Sequence, residues 1–186
     1  QSQHDLCKLL DEMRLTKDAH EVAILRRAGA ISAGAHVRAM QTSAAMLRKG
    51  TPGGLREYHL EAELLHEFRR HGSQFPAYTS IVAAGANACV LHYRAGNAEL
   101  KPGELCLIDA GCELDGYASD ITRTFPANGK FTPAQRVLYE IVLEAQYAAV
   151  KVTKPGKRFM DPHDAATRVL AQGMLDTGLL SKAKHG

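Results

Sequence analysis

No stretch of this chain approaches the roughly 18 consecutive apolar residues of a membrane helix, so no membrane-spanning segment is expected. Charge of one sign is also scarce. The net charge is only +3, and basic residues alternate with acids, as in Glu67-Phe68-Arg69-Arg70, instead of forming a stripe. That balance argues against nucleic acid as a partner. The N-terminus, Gln1-Ser2-Gln3-His4-Asp5, is polar and lacks the pattern of a signal peptide. The four cysteines, Cys7, Cys89, Cys106 and Cys112, include no Cys-x-x-Cys pair. All four read as reduced thiols, which points to a cytoplasmic setting.

What is present suits a globular protein with a real core. The chain has 186 residues, of which 45% are hydrophobic and 23% charged. Thr16 reads as the N-cap of a first helix, with Asp18 in its first turn. Val22, Leu25, Ala28 (or Gly29) and Ile31-Ser32 form its apolar stripe, with Arg26-Arg27 facing away. The helix continues to about Leu47, and Gly50 and Pro52 stop it. A second helix follows Pro52-Gly53-Gly54, with Tyr58, Ala62, Leu65 and Phe68 on one face, and ends at Gly72. Strands are expected at Thr79 to Ala84 and at Ala88 to Tyr93, separated by a turn at Gly85-Ala86-Asn87.

The feature richest in chemistry is a pair of aspartates. Leu105-Cys106-Leu107-Ile108 is apolar on both faces and reads as a strand buried on both sides. Asp109 ends it, and Asp120 follows after the strong turn dipeptide Asp115-Gly116. With a two-residue loop at Leu114-Asp115, the two carboxylates stand directly opposite, their Cβ atoms about 5 Å apart. With the loop at Asp115-Gly116 they become diagonal neighbours on the same face. Either way like charges repel, and one or two cations would offset the repulsion. The bland reading is two solvated hairpin residues. A calcium loop fails: Gly111 stands at its third position, Leu114 where it needs Gly, and Asp120 where it needs Glu.

Beyond the hairpin the pattern starts again. Thr132-Pro133 opens a helix carried by Val137, Leu138, Ile141, Val142 and Ala145. Lys154-Pro155-Gly156 breaks it, where Thr51-Pro52-Gly53 broke the first, and a last helix runs from Asp161 or Pro162 to Leu175, before Gly178. The spacing fits an internal duplication, or two unrelated helical pairs.

These motifs, in this order, resemble the pita-bread metallopeptidases, most closely their bacterial aminopeptidase P branch. The resemblance rests on Met13 to Lys17, Glu21 to Gly29, Gly85-Ala86-Asn87, Leu91-His92-Tyr93, Leu107 to Glu113 and Gly116 to Pro126. It implies an α+β fold of pita-bread (creatinase/aminopeptidase) type, first half complete and second half truncated. Residues 1–13 would end a linker from a further N-terminal domain. Residues 14–129 would form the first half, and 130–186 the helical start of the second.

By the same resemblance, Asp109 and Asp120 are two of five protein ligands to two divalent ions, with Asp120 bridging them. The ions would be Mn2+ first, with Co2+ or Zn2+ as alternatives. His92 would be a catalytic residue that hydrogen-bonds the substrate or the developing tetrahedral oxygen. The implied activity is release of the N-terminal residue preceding a proline, by attack of a metal-bridging hydroxide on the peptide carbonyl. The partners would be peptides with proline at the second position, and a second copy of the intact protein. The alternatives are a prolidase acting on Xaa-Pro dipeptides, or a pita-bread binding protein without catalysis. The remaining ligands, one His and two Glu, are expected beyond Gly186. Glu140, Glu144 and His163 fall on helices in this reading, and they receive no role. Nor do His36, His59, His66, His71 or His185. Two carboxylates alone make a weak site, so the 186-residue chain by itself is expected to hydrolyse little.

Overall fold

A computed structural model describes residues 5–94 and 96–181 of the chain. Its internal contacts divide it into two units, the first running to Lys130 and the second starting at Phe131.

The first unit opens with α1 (Leu6–Leu15), capped by Asp5, whose carboxylate accepts the Cys7 N–H. The sequence reading takes residues 1–13 as linker and does not anticipate this helix. Next comes α2 (Ala19–Lys49). Its N-cap is Asp18, not Thr16. Asp18 accepts from Glu21 N at 2.9 Å while Glu21 accepts from Asp18 N at 2.7 Å. That reciprocal pair satisfies two orphan N–H groups, which Thr16 has no partner to do. Gly50 ends the helix with a positive φ of 72°.

The buried face of α2 mixes small apolar and polar residues: Ala28, Ile31, Ser32, Ala35, His36, Ala39 and Ser43. Ala and Ser leave little side chain in the way, so neighbouring backbone can come close. The third helix, α3 (Glu57–Arg70), packs on α2 and buries Glu57, Leu60, Leu64 and Phe68. Of the face expected from the sequence, only Phe68 is buried; Tyr58 and Ala62 are exposed and Leu65 is partly buried. The stripe is rotated because a charged residue, Glu57, occupies an inward position.

Among the described residues, six short strands form two three-stranded antiparallel sheets. One orders β1 (Phe75–Pro76), β4 (Cys112–Leu114) and β5 (Tyr117–Ala118) as β1-β4-β5. The other orders β2 (Ile81–Ala84), β3 (Leu105–Asp109) and β6 (Thr122–Pro126) as β2-β3-β6. In β3 burial alternates. Cys106 and Ile108 are fully buried, whereas Leu105, Leu107 and Asp109 are only partly so. The strand is therefore covered on one face among the described residues, not on both, and Asp109 belongs to the open face. Burial, and then the Glu57 charge, push the Cys106 thiol up to about 12, so it serves as a small hydrophobe.

Residues 88–93 are not a strand. Gly85–Cys89 form a short 3-10 helix, and the chain then turns through Leu91 and His92. Val90 and Leu91, whose apolar character suggested a strand, are exposed, Leu91 by 88%.

The second unit holds α4 (Pro133–Val152) and α5 (Asp161–Asp176), packed against each other. Thr132 caps α4 with Pro133 at its first turn, and Gln135 completes the reciprocal pair. Gly173 lets the helices approach: a Cβ there would lie 2.5 Å from Ile141 Cγ2. Glu140 and Glu144 lie on α4 and His163 on α5. His185 lies outside the described residues. No described helix is long and apolar enough to cross a membrane.

Candidate metal centre

The hairpin from β3 to β6 crosses from one sheet to the other, and the two aspartates flank the crossing. Its turn is Asp115-Gly116, with φ of 50° and 82°. Two successive positive φ values are what the right-handed twist of a two-residue hairpin asks for. Leu114 pairs with Tyr117 and Asp109 with Thr122. Asp120 is thus a diagonal neighbour of Asp109 and does not stand directly opposite it. The turn dipeptide with the stronger positive-φ preference decided the register.

Between the two sheets the register runs on. Ala110 N–H donates to Ile121 O at 3.1 Å, and Ser119 N–H to Cys112 O at 2.9 Å. Gly111 faces the opposing strand so closely that an added Cβ would lie 1.7 Å from Ser119 O. Only glycine fits there. The α2 helix fastens the crossing from beneath. Ser32 Oγ lies 2.7 Å from Ser119 Oγ and accepts Cys112 N–H at 2.9 Å. His36 Nε2 lies 3.1 Å from Ala110 O. A carbonyl only accepts, so that nitrogen carries the proton. Burial holds the His36 imidazole below its ordinary value, so it is neutral at pH 7.

A second segment passes the same crossing. Ala77 N–H donates to Gly111 O at 2.9 Å, which delivers Tyr78 to the aspartates. Its hydroxyl reaches Asp109 Oδ1 at 2.6 Å and Asp120 Oδ1 at 2.9 Å. One proton is shared between two carboxylates. Burial, then the hydrogen bonds to Asp109 and Asp120, push the tyrosine far above its ordinary range, so it remains a donor. Two carboxylate oxygens within reach of a single atom converge on one point. Hard oxygen donors in that arrangement suit a divalent cation.

Among the described residues, no lysine or arginine forms an ion pair with either aspartate. Nor do three or more His, Cys, Asp and Glu residues gather at any one point among them.

The aspartates and Tyr78 open into a cleft of about 450 Å³, lined also by Thr79, His92 and Arg94. His92 is exposed and has a positive φ of 51°. The left-handed backbone turns its segment toward the cleft that it lines. Sequence reasoning missed Tyr78 and His36. Tyr78 precedes a short β-branched run, and nothing local tells that β2 pairs with β3. A larger hollow of about 590 Å³ lies in the second unit around Lys154, Arg158 and Phe159. Its Arg158 is committed to Asp161 at 2.8 Å, and it has no facing carboxylates.

Tyr78→Phe, with metal withheld, is expected to lower the melting temperature. The loss is equivalent to about 1 kcal/mol, at the low end for a bond to a charged group because Asp120 is exposed. Added Mn2+ should narrow the deficit. An unchanged metal-free melting temperature would show that the hydroxyl does not hold the pair.

Residues 23–186 match metallopeptidase family M24. The chain is similar to the Xaa-Pro aminopeptidase of Escherichia coli K12, at 48% identity over 172 residues that cover 92% of this chain and 37% of that protein. Among solved structures it resembles Pseudomonas aeruginosa aminopeptidase PepP, with a TM-score of 0.87 and 53% identity, covering 95% of this chain and 38% of that one. It also resembles the zinc-substituted E. coli aminopeptidase P in complex with product, with a TM-score of 0.86 and 46% identity, covering 96% and 39%. The chain thus spans well under half the length of the relatives it matches. Its fold is α+β and of the pita-bread type those structures share.

Proposed function

We propose, on the footing that this chain belongs to metallopeptidase family M24, that it carries one wall of the metal centre of an Xaa-Pro aminopeptidase. The observation that carries the reading is the convergence of Asp109 and Asp120 on the single Tyr78 hydroxyl, inside the segments that resemble the family. In this reading Asp109 and Asp120 would be ligands that help hold two divalent ions. Mn2+ is the preferred ion on the oxygen-rich donor set, with Co2+ or Zn2+ as alternatives. The zinc-substituted relative supports the last of these.

When bound, divalent ions supply an acidified water and Lewis acidity at the scissile carbonyl. The protein's part is arrangement. Asp109 sits at the end of a strand clamped between β2 and β6, so its carboxylate is held rigidly. Tyr78 keeps the two carboxylates converged. His92, on the other rim of the cleft, donates a hydrogen bond to the carbonyl oxygen as charge develops there. The substrates would be peptides with proline second, rather than nucleic acid or a membrane. Free thiols at the buried Cys106 and Cys112 fit a cytoplasmic setting, and a homo-oligomer is proposed for the intact protein.

The test compares two peptides that differ only in having proline or alanine second, with the metal-loaded intact protein, since the 186 residues alone are expected to hydrolyse little. Release of the first residue from the proline peptide, lost to a chelator and restored by Mn2+, is the expected result. Cleavage of Xaa-Pro dipeptides alone would turn the reading to prolidase. No release with Mn2+, Co2+ or Zn2+ would favour a binding protein without catalysis.

A further inference from the structure

Glu57 is fully buried, yet the centre described above does not use it. It begins α3, and its carboxylate is saturated by donors from one stretch of chain. Oε1 accepts from Ala84 N–H and Asn87 Nδ2, both at 2.9 Å. Oε2 accepts from the Tyr93 hydroxyl at 3.0 Å and from Gly96 N–H at 3.1 Å. The ring is closed, because Asn87 Nδ2 also donates to Tyr93 Oη at 3.0 Å. An acceptor-only group thus meets four donors. All four flank the turn that carries His92. Burial, and then the bond to Glu57, push the Tyr93 hydroxyl above its ordinary range, so it stays a donor.

We infer that Glu57 is the positioning residue for His92: its carboxylate gathers residues 84–94 and Gly96 onto the start of α3 and so fixes the histidine in the lining of the Asp109/Asp120 cleft. The consequence for catalysis rests on the role proposed for His92. The geometric part does not.

Other bonds to this stretch lie beyond the turn, Arg56 Nη1 donating to Asn97 O at 2.7 Å and Glu57 N–H to Ala98 O at 3.0 Å. Among the described residues between Cys89 and Gly96 there is no strand or helix, and the backbone bonds among them are local, Val90 N–H to Asn87 O and Tyr93 N–H to Val90 O. Leu91 points into solvent and contributes no packing. The space is also tight: a Cβ on Gly96 would lie 3.1 Å from Tyr93 Oη and 3.3 Å from Glu57 Oε2. Gln at position 57 keeps the shape but presents its NH2 to two donors, leaving at least one buried donor unmet.

The experiment compares the metal-loaded intact protein with its Glu57→Gln, His92→Asn and double variants. Hydrogen exchange is read first. Glu57→Gln should speed exchange across residues 84–96 while residues 105–126 keep their protection and the metal content stays unchanged. Unchanged exchange at 84–96, or an equal rise throughout, overturns the inference. Kinetics on a proline-second peptide follow. Glu57→Gln alone should lower kcat by about tenfold to a hundredfold through misplacement, with KM little changed. In the His92→Asn background it should add roughly nothing further. Multiplicative losses would also overturn the inference. If His92→Asn alone leaves kcat untouched while exchange responds as expected, the function assigned to His92 fails and the positioning by Glu57 stands.

Discussion

Asp120→Asn is expected to abolish hydrolysis of a proline-second peptide. The change is isosteric, so the Asp115-Gly116 turn and the Gly111 crossing should survive it. What is lost is an anionic group with two accepting oxygens. In the proposed role that group would help hold the divalent ions, and an amide offers one oxygen and one NH2. The amide nitrogen would face a cation. Losing several kcal/mol of charge stabilisation corresponds to roughly 10³-fold or more in kcat/KM. Metal analysis of the dialysed variant should show less than the full complement. Asn at 120 can still accept the Tyr78 hydroxyl, now at 2.9 Å from Asp120 Oδ1, so the metal-free variant should fold. A variant with full metal and activity within about tenfold of the parent would refute the proposed role.

Loss of the His92 imidazole should give the second large effect, with a different signature. Removing one donor to a developing oxyanion costs on the order of 10²-fold to 10³-fold in kcat. Asn is the better replacement, because the backbone at 92 has a φ of 51° and Asn tolerates that region. Its shorter side chain does not reproduce the reach of the imidazole. Metal content should equal that of the parent, since His92 is no ligand in this reading. A fall in metal content alongside activity would mean that the histidine helps hold the ions.

The parts of this structure that were legible in the sequence are those governed by nearby residues. Thr132-Pro133 opens α4 as expected, and Gly50 stops α2 because a positive φ ends a helix cheaply. The aspartate pair was legible for the same reason, since both carboxylates belong to one hairpin. The choice between its two registers needed only the turn preference of Asp115-Gly116.

What failed depended on distant partners. Tyr78 reaches the aspartates through the pairing of β1 with β4 and of β2 with β3. No local pattern encodes that pairing. The strand expected at 88–93 gave way to a turn, because four donors around it are drawn to a carboxylate on another element. The face of α3 was misjudged for the matching reason. Hydrophobic periodicity counts glutamate as solvent-facing, and Glu57 is saturated in the interior. On α2, Ser32, His36 and Ser43 face inward because each meets a hydrogen-bonding group on the hairpin, Ser43 through Ala127 O at 2.8 Å. Buried polar residues of this kind are visible only when their partners are known.

The unbroken register between Asp109 and Asp120 imposes a rule of parity on the chain between them. Side chains alternate faces along a strand, so inserting or deleting one residue within an arm, from Ala110 to Leu114 or from Tyr117 to Ser119, would swing Asp120 to the opposite side of the ribbon from Asp109 unless a bulge absorbed it. A change of two residues, one in each arm, would restore the alternation. Gly111 would keep its place facing Ser119 O, where no side chain fits, only if both changes fell between them. The arms separating these carboxylates are therefore closed to unpaired gain or loss of length, although the turn between them lies at the surface, where insertions are ordinarily harmless.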